Sequence, residues 1–341
     1  MQKYKPTEGS EEDHDIVDNA HLLDRAEAAE HRRNLKQNPD DLKSRLVLFG
    51  RGYYVKASAN SEHLIWLIEN HPKRWIHSMF SPKKRNDSYE AARTSWLRVV
   101  RLNAEDVTVL AHAAEFFQRF EEKAATKMLI KASRLAPSCE ELPRQLSFSY
   151  RLRHGSNPRE TRLLAHNSAV QMKVAIERYA LPSTDDSYLL PYFSMEISEV
   201  ARHVLHQDLL DDAKELARLL LNHKEINRSR NPMLAEGAEG VYRLSTYRGN
   251  AILGRVALRE GKIAEAEDYL SKMIGVKPDW YTDYELAEEL VASGANIVAA
   301  KYVEFCRDSW ASREGHEAQE NTKALDNWLN QILRKASNGI V

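Results

Sequence analysis

Glu196, Glu199, His203 and His206, in the stretch SMEISEVARHVLHQD, have the residue types and spacing that could hold a metal ion. Steps of three, four and three residues place all four within roughly an 80° arc of one helix. Carboxylates and imidazoles so arranged serve as ligands in helical bundles, provided that they point into the bundle. Here Ile197, Val200, Ala201, Val204 and Leu205 occupy a different arc of the same wheel. The apolar side therefore lies away from the four candidate ligands, and the stripe reads as a solvated face. No metal is expected.

The remaining candidates for chemistry are single residues. Cys139 falls in the first turn of a helix starting near Ser138, where the helix dipole lowers a thiol pKa, but no histidine stands near it in sequence. Cys306 falls among apolar residues and reads as core. Gly261-Lys262 is followed by Ile263 rather than Ser or Thr and so makes no phosphate loop. His-Glu-x-x-His, a nucleophile elbow and Cys-x-x-Cys are all missing from the sequence. No catalytic residue and no cofactor are assigned. Trp66 and Trp96 could stack bases, but HLIWLI and SWLRVV are helical apolar patterns that suit core packing.

Composition narrows the class of protein. The 341 residues carry a net charge of −1, with 43% apolar and 29% charged residues, which suits a folded chain and excludes a polyanion mimic or a coat for nucleic acid. Glycine (13) and proline (11) are scarce, which favours long helices over an all-β fold with many tight turns. Two distant cysteines point to a reducing compartment, and no apolar run approaches the length of a membrane span. The expectation is a soluble cytoplasmic protein of bacterial style. Charge is unevenly spread: residues 73–162 hold 18 Lys and Arg against 10 Asp and Glu, while residues 1–20 hold 2 basic and 6 acidic residues. The basic middle could meet nucleic acid, an acidic protein or the chain's own acidic leader.

Helices that present such residues must first pack, and the small residues say how. In GNAILGRVALREGKIAEAEDYLSKMIGVKP (249–278), Gly254, Ala257, Gly261, Ala264 and Ala266 recur within a run of good helix formers closed by Pro278. Small side chains let helix backbones approach, and larger ones beside them fill the grooves. Leu253, Gly254, Ala257, Ala266 and Leu270 match the crossing positions of a 34-residue unit, with Gly261 in the turn. The same register selects Ala113, Phe116, Ala125, Leu129 and Ala132 before Pro137; Ala201, Val204, Ala213 and Ala217; and Leu286, Ala287, Gly294, Ala299 and Cys306. Phe49, Gly50 and Tyr53 make a partial match near the front. This pattern resembles the tetratricopeptide repeat, and it is similar to that of bacterial repeat proteins of unassigned activity.

The resemblance implies an all-α solenoid of degenerate helix-turn-helix repeats. Capping boxes are read at Asp87–Glu90, Ser138–Glu141 and Thr282–Glu285, and breaks at 71–87, 153–160, 181–186 and 227–232. The division read from these signals is a disordered acidic leader (1–20), N-terminal repeats (21–137), an irregular helical insert (138–193) and C-terminal repeats (194–311). A capping helix and tail (312–341) closes the array, with Ala324, Leu325, Trp328, Leu329 and Ile332 at helical spacing and Trp310 beside them.

In tetratricopeptide arrays one side of each first helix lines a concave groove. In the unit from Tyr247 those places hold Arg248, Ala251, Arg255, Leu258 and Arg259, the three arginines lying within about a 40° arc. Neighbouring units add Arg202 and His206 on one side, Tyr281 and Tyr284 on the other. Arginine forks hold carboxylates, and arginine with tyrosine makes binding hot spots. The expected function is thus a scaffold or adaptor that holds a protein or peptide bearing acidic groups in an arginine-lined groove. Two alternatives remain: a nucleic-acid-associated repeat protein using residues 73–162, and an enzyme or regulatory subunit with a site between helices.

Overall fold

A computed structural model describes residues 10–55, 60–74, 86–139, 141–153, 155–179, 189–230, 239–276 and 282–338. Every regular element among the described residues is helical, so the fold is all-α. The chain divides into two compact units, residues 1–153 and 154–341, and the division falls inside the stretch read as an insert. Among the described residues no helix is long and apolar enough to cross a membrane.

The first unit contains α1 (Ser10–Asn19), α2 (Arg25–Gln37), α3 (Leu42–Val55), α4 (Asn60–Asn70), α5 (Asp87–Leu102), α6 (Val107–Phe117), α7 (Glu122–Leu135) and α8 (Glu141–Leu152). Successive helices pack on one another around a core of Leu46, Phe49, Leu67, Trp96, Phe116, Phe117 and Leu129. Trp96 is fully buried, as its apolar pattern required. Trp66 packs against the same core, and the Arg45 guanidinium lies 4.9 Å from its ring centre.

The disorder expected of residues 1–20 does not hold for residues 10–20. Residues 10–19 form α1, whose Val17 is fully buried against α3, and a 3-10 turn over Ala20–Leu22 follows. Gly50 makes this possible, because a Cβ there would lie 2.4 Å from the Val17 carbonyl oxygen. Asp13 accepts from Arg74 at 2.5 Å and Asp18 from the Tyr54 hydroxyl at 2.6 Å. Two of the leader's acids are therefore ion-pair and hydrogen-bond anchors, and Arg74 belongs to the basic middle.

At two of the three expected boxes the accepting side chain sits one residue away, and the box at 138–141 includes a residue outside those described. Asn86, not Asp87, accepts the Tyr89 amide at the start of α5. Asp283, not Thr282, accepts the Glu285 amide at 3.0 Å. A reciprocal capping box does occur at Asp24 and Glu27, opening α2, where the sequence reading placed none.

The second unit contains α9 (Pro158–Tyr179), α10 (Leu189–His206), α11 (Leu210–Arg230), α12 (Glu239–Arg259), α13 (Ile263–Met273), α14 (Glu285–Ala292), α15 (Asn296–Ala311) and α16 (His316–Asn338). The break read at 227–232 does not fall at its start, since α11 continues as helix through Arg230. Three hairpins follow one another, α10 with α11, α12 with α13 and α14 with α15, and the first helices α10, α12 and α14 also touch in sequence. Ala201, Val204, Ala213, Ala217, Ala266, Leu270, Leu286, Ala287 and Ala299 are all fully buried at the crossings.

Gly254 shows why the crossing residues are small: its Cβ, if present, would sit 2.4 Å from Leu286 Cδ2 of α14 and 3.2 Å from Tyr269 Cβ of α13. Gly261, at φ +76°, makes the left-handed turn from α12 to α13 that a side chain would strain. The cap is also formed: α16 lies along α15, with Leu325 and Ile332 buried and Trp310 and Trp328 packed on the same core.

Candidate binding face of the second unit

The arginines of α12 reach in two directions. Arg248 is 6% exposed and its Nη1 donates to Ser198 Oγ of α10 at 2.6 Å. Two turns further on, Arg255 is 5% exposed and turns to α14. Its Nε donates to Glu289 Oε1 at 2.9 Å and its Nη1 to Glu285 Oε2. The other oxygen of Glu285 accepts from Arg202 Nη2 of α10 at 2.5 Å. Arg259, exposed at the end of α12, donates to Asp208 Oδ1 at 2.7 Å and lies 3.9 Å from Glu289. Three guanidinium groups, those of Arg202, Arg255 and Arg259, are thus drawn together across α10, α12 and α14 by Glu285 and Glu289, while Arg248 turns to α10.

The start of α14 is fixed from below. The Tyr302 hydroxyl donates to the Asp283 carbonyl at 2.6 Å, the Asp283 amide donates to the Tyr247 hydroxyl at 2.8 Å, and the two hydroxyls touch each other. Burial drives both phenols well above their ordinary pKa, so they stay neutral. Burial also raises the Asp283 carboxyl, with Arg202 and Arg255 pulling in the opposite direction. Cys306, beneath this cluster, is pushed up to about 12 by burial, which keeps it a thiol.

The other expected groove residues are placed differently. His206 is exposed at the end of α10. Tyr284 is half-buried and stands edge-on to Trp328 of the cap, with ring centres 5.8 Å apart. Tyr281 lies outside the described residues. Glu199, from the metal-like stripe, lies 4.0 Å from Arg202 Nη1. Among the described residues no group of three His, Cys, Asp or Glu side chains is gathered as metal ligands.

The sequence reading missed the acids of this face. Glu285 and Glu289 are four apart on α14, the first helix of the hairpin after the one that carries Arg255 and Arg259, which are also four apart. Matching i, i+4 pairs of opposite charge on the first helices of adjacent hairpins were the signal available.

No protein-family model and no curated protein sequence matches the chain. Among solved structures, the human IFIT1 dimer with m7Gppp-AAAA is 15% identical over 91% of this chain and 67% of that chain, with a TM-score of 0.43. The Cut9–Hcn1 hetero-tetramer of the APC/C is 12% identical over 92% of this chain and 54% of that chain, at 0.30. The TPR domain of P58(IPK) is 16% identical over 94% of this chain and 79% of that chain, at 0.25. These are likenesses at low superposition scores, and they assign no ligand.

Proposed function

We propose that the chain is a protein-interaction scaffold whose second unit holds an extended, carboxylate-bearing segment on the face of α10, α12 and α14. The observation that carries this reading is the convergence of Arg202, Arg255 and Arg259 around Glu285 and Glu289. The internal carboxylates orient the guanidinium groups before a partner arrives, which reduces the ordering cost of binding. Arg248 and Arg255 are too buried to meet a ligand broadly, so they act as supports. Arg202, Arg259 and His206 form the part a partner can reach. The partner's acids would join or displace the carboxylates already present, which favours a segment with several acids over one with a single acid.

Selection from a displayed random peptide library on the full-length protein tests this. Enrichment of Asp and Glu in the selected peptides, lost in a double Arg202→Glu and Arg259→Glu variant that still melts cooperatively, is the expected result. Selected peptides that bind the variant as well as the parent would overturn the assignment.

A further inference from the structure

A different surface, in the first unit, carries a row of cations. On α7, Lys123, Lys127, Lys131 and Arg134 fall within roughly an 80° arc and span about 16 Å of helix axis. The opposite side of the helix is committed to the core through Ala125, Leu129 and Ala132. Lys131 pairs with Glu105 at 2.9 Å. Lys123, Lys127 and Arg134 are exposed, and among the described residues no carboxylate lies within ion-pair distance of them. Like charges four apart on a helix disfavour it by a few tenths of a kcal/mol per pair, so this arrangement is not explained by helix stability.

The same face is not purely ionic. Lys127, Lys131 and Arg134 stand with Ile130 and Leu135 around an open pocket of about 470 Å³. Its lining therefore combines an apolar floor with a cationic rim. Phosphates alone would have no use for the floor, and the lining holds no aromatic ring on which a base could stack. An amphipathic helix with acids at i, i+4 spacing matches both features. Its carboxylates recur at about the 6 Å interval of the lysines, and an apolar side chain between them fills the pocket.

We propose that the outer face of α7 is a docking surface for an acidic amphipathic helix of a partner protein, separate from the arginine face of the second unit. The carboxylates of that helix sit on Lys127, Lys131 and Arg134, and one apolar side chain sits against Ile130 and Leu135.

The test is fluorescence anisotropy of the full-length protein with three labelled probes. One is a synthetic helical peptide with Glu at i, i+4 and a Leu between them, the second is the same peptide with Leu→Ser, and the third is a single-stranded oligonucleotide of similar charge. The expected result is saturable binding of the first peptide, weakened about tenfold by Leu→Ser and about tenfold or more by Lys127→Glu with Arg134→Glu. Lys301→Glu, at an exposed cation of α15 outside both faces, should leave it unchanged. Both α7 residues are exposed, and the milder Lys127→Ala with Arg134→Ala pair should show a smaller loss in the same direction. Absence of peptide binding, indifference to Leu→Ser, or indifference to the α7 substitutions would overturn the proposal. So would an oligonucleotide that binds more tightly than the peptide and depends on the same two residues.

Discussion

Gly254 poses a question of sign that a stability measurement can answer. A glycine inside a helix is worse than alanine by about 1 kcal/mol, so Gly254→Ala would stabilise the protein if helix propensity were the only effect. The new methyl, however, would lie 2.4 Å and 3.0 Å from the two Cδ atoms of Leu286 and 3.2 Å from Tyr269 Cβ. Leu286 is fully buried, so its methyls have no open space to enter without displacing core neighbours or separating α12 from α14. Overpacking of this kind costs about 1–3 kcal/mol, which leaves a net destabilisation of about 1 kcal/mol.

Leu286→Ala alone should cost about 3 kcal/mol through the cavity it leaves. With both substitutions the methyl added on α12 enters that space, and the total should fall short of the sum by about 2 kcal/mol. Denaturant unfolding of the full-length protein and its three variants, followed by circular dichroism, gives all four corners of the cycle. A stabilising Gly254→Ala, or additivity within about 0.5 kcal/mol, would refute the claim that this glycine exists to let two hairpins close.

Gly50→Ala should be worse than Gly254→Ala, at about 3 kcal/mol, because the obstacle at 2.4 Å is the backbone of Val17 rather than a side-chain end; limited proteolysis should then cut within residues 10–19. Arg255→Met should cost about 2 kcal/mol, less than the loss of a fully buried pair because Glu285 and Glu289 are about a third exposed, and 0.5 M salt should shrink the loss in denaturant unfolding. His112 is pushed down to about 4 by burial, with Nδ1 3.2 Å from the Pro72 carbonyl oxygen. Its contribution is complete above the ordinary histidine pKa and is lost as pH falls toward the folded value, so about 2 kcal/mol should disappear between pH 7 and 5. His112→Gln should flatten that slope in unfolding titrations, and an unchanged slope would count against the assignment.

The crossing residues were legible because their constraint is local: Gly254, Ala266 and Ala287 must be small wherever helices meet, and a fixed period repeats the demand. The leader misled because composition averages over a segment. Six acids in twenty residues outweighed Ile16, Val17 and Ala20, whose helical spacing buries α1 against Gly50. The arginine row of α12 was readable from its arc, but its partners were not. Which carboxylate meets Arg255 depends on the rotation of α14 relative to α12, and that is set by the fit of Leu286 over Gly254 rather than by any property of the arginine. Two capping sites moved by one residue because a second side chain able to accept an amide stands beside the expected one, Asn86 before Asp87 and Asp283 after Thr282.

One carboxylate, that of Glu285, is shared by α10 and α12 while standing on α14. Three consecutive hairpins thereby have a common fastening. A ligand tugging on Arg202 pulls through Glu285 on both later hairpins, and replacing that one side chain by an uncharged one would loosen both joints together. One fastening of this stretch, beside its buried crossings, is thus an acid that water can still reach.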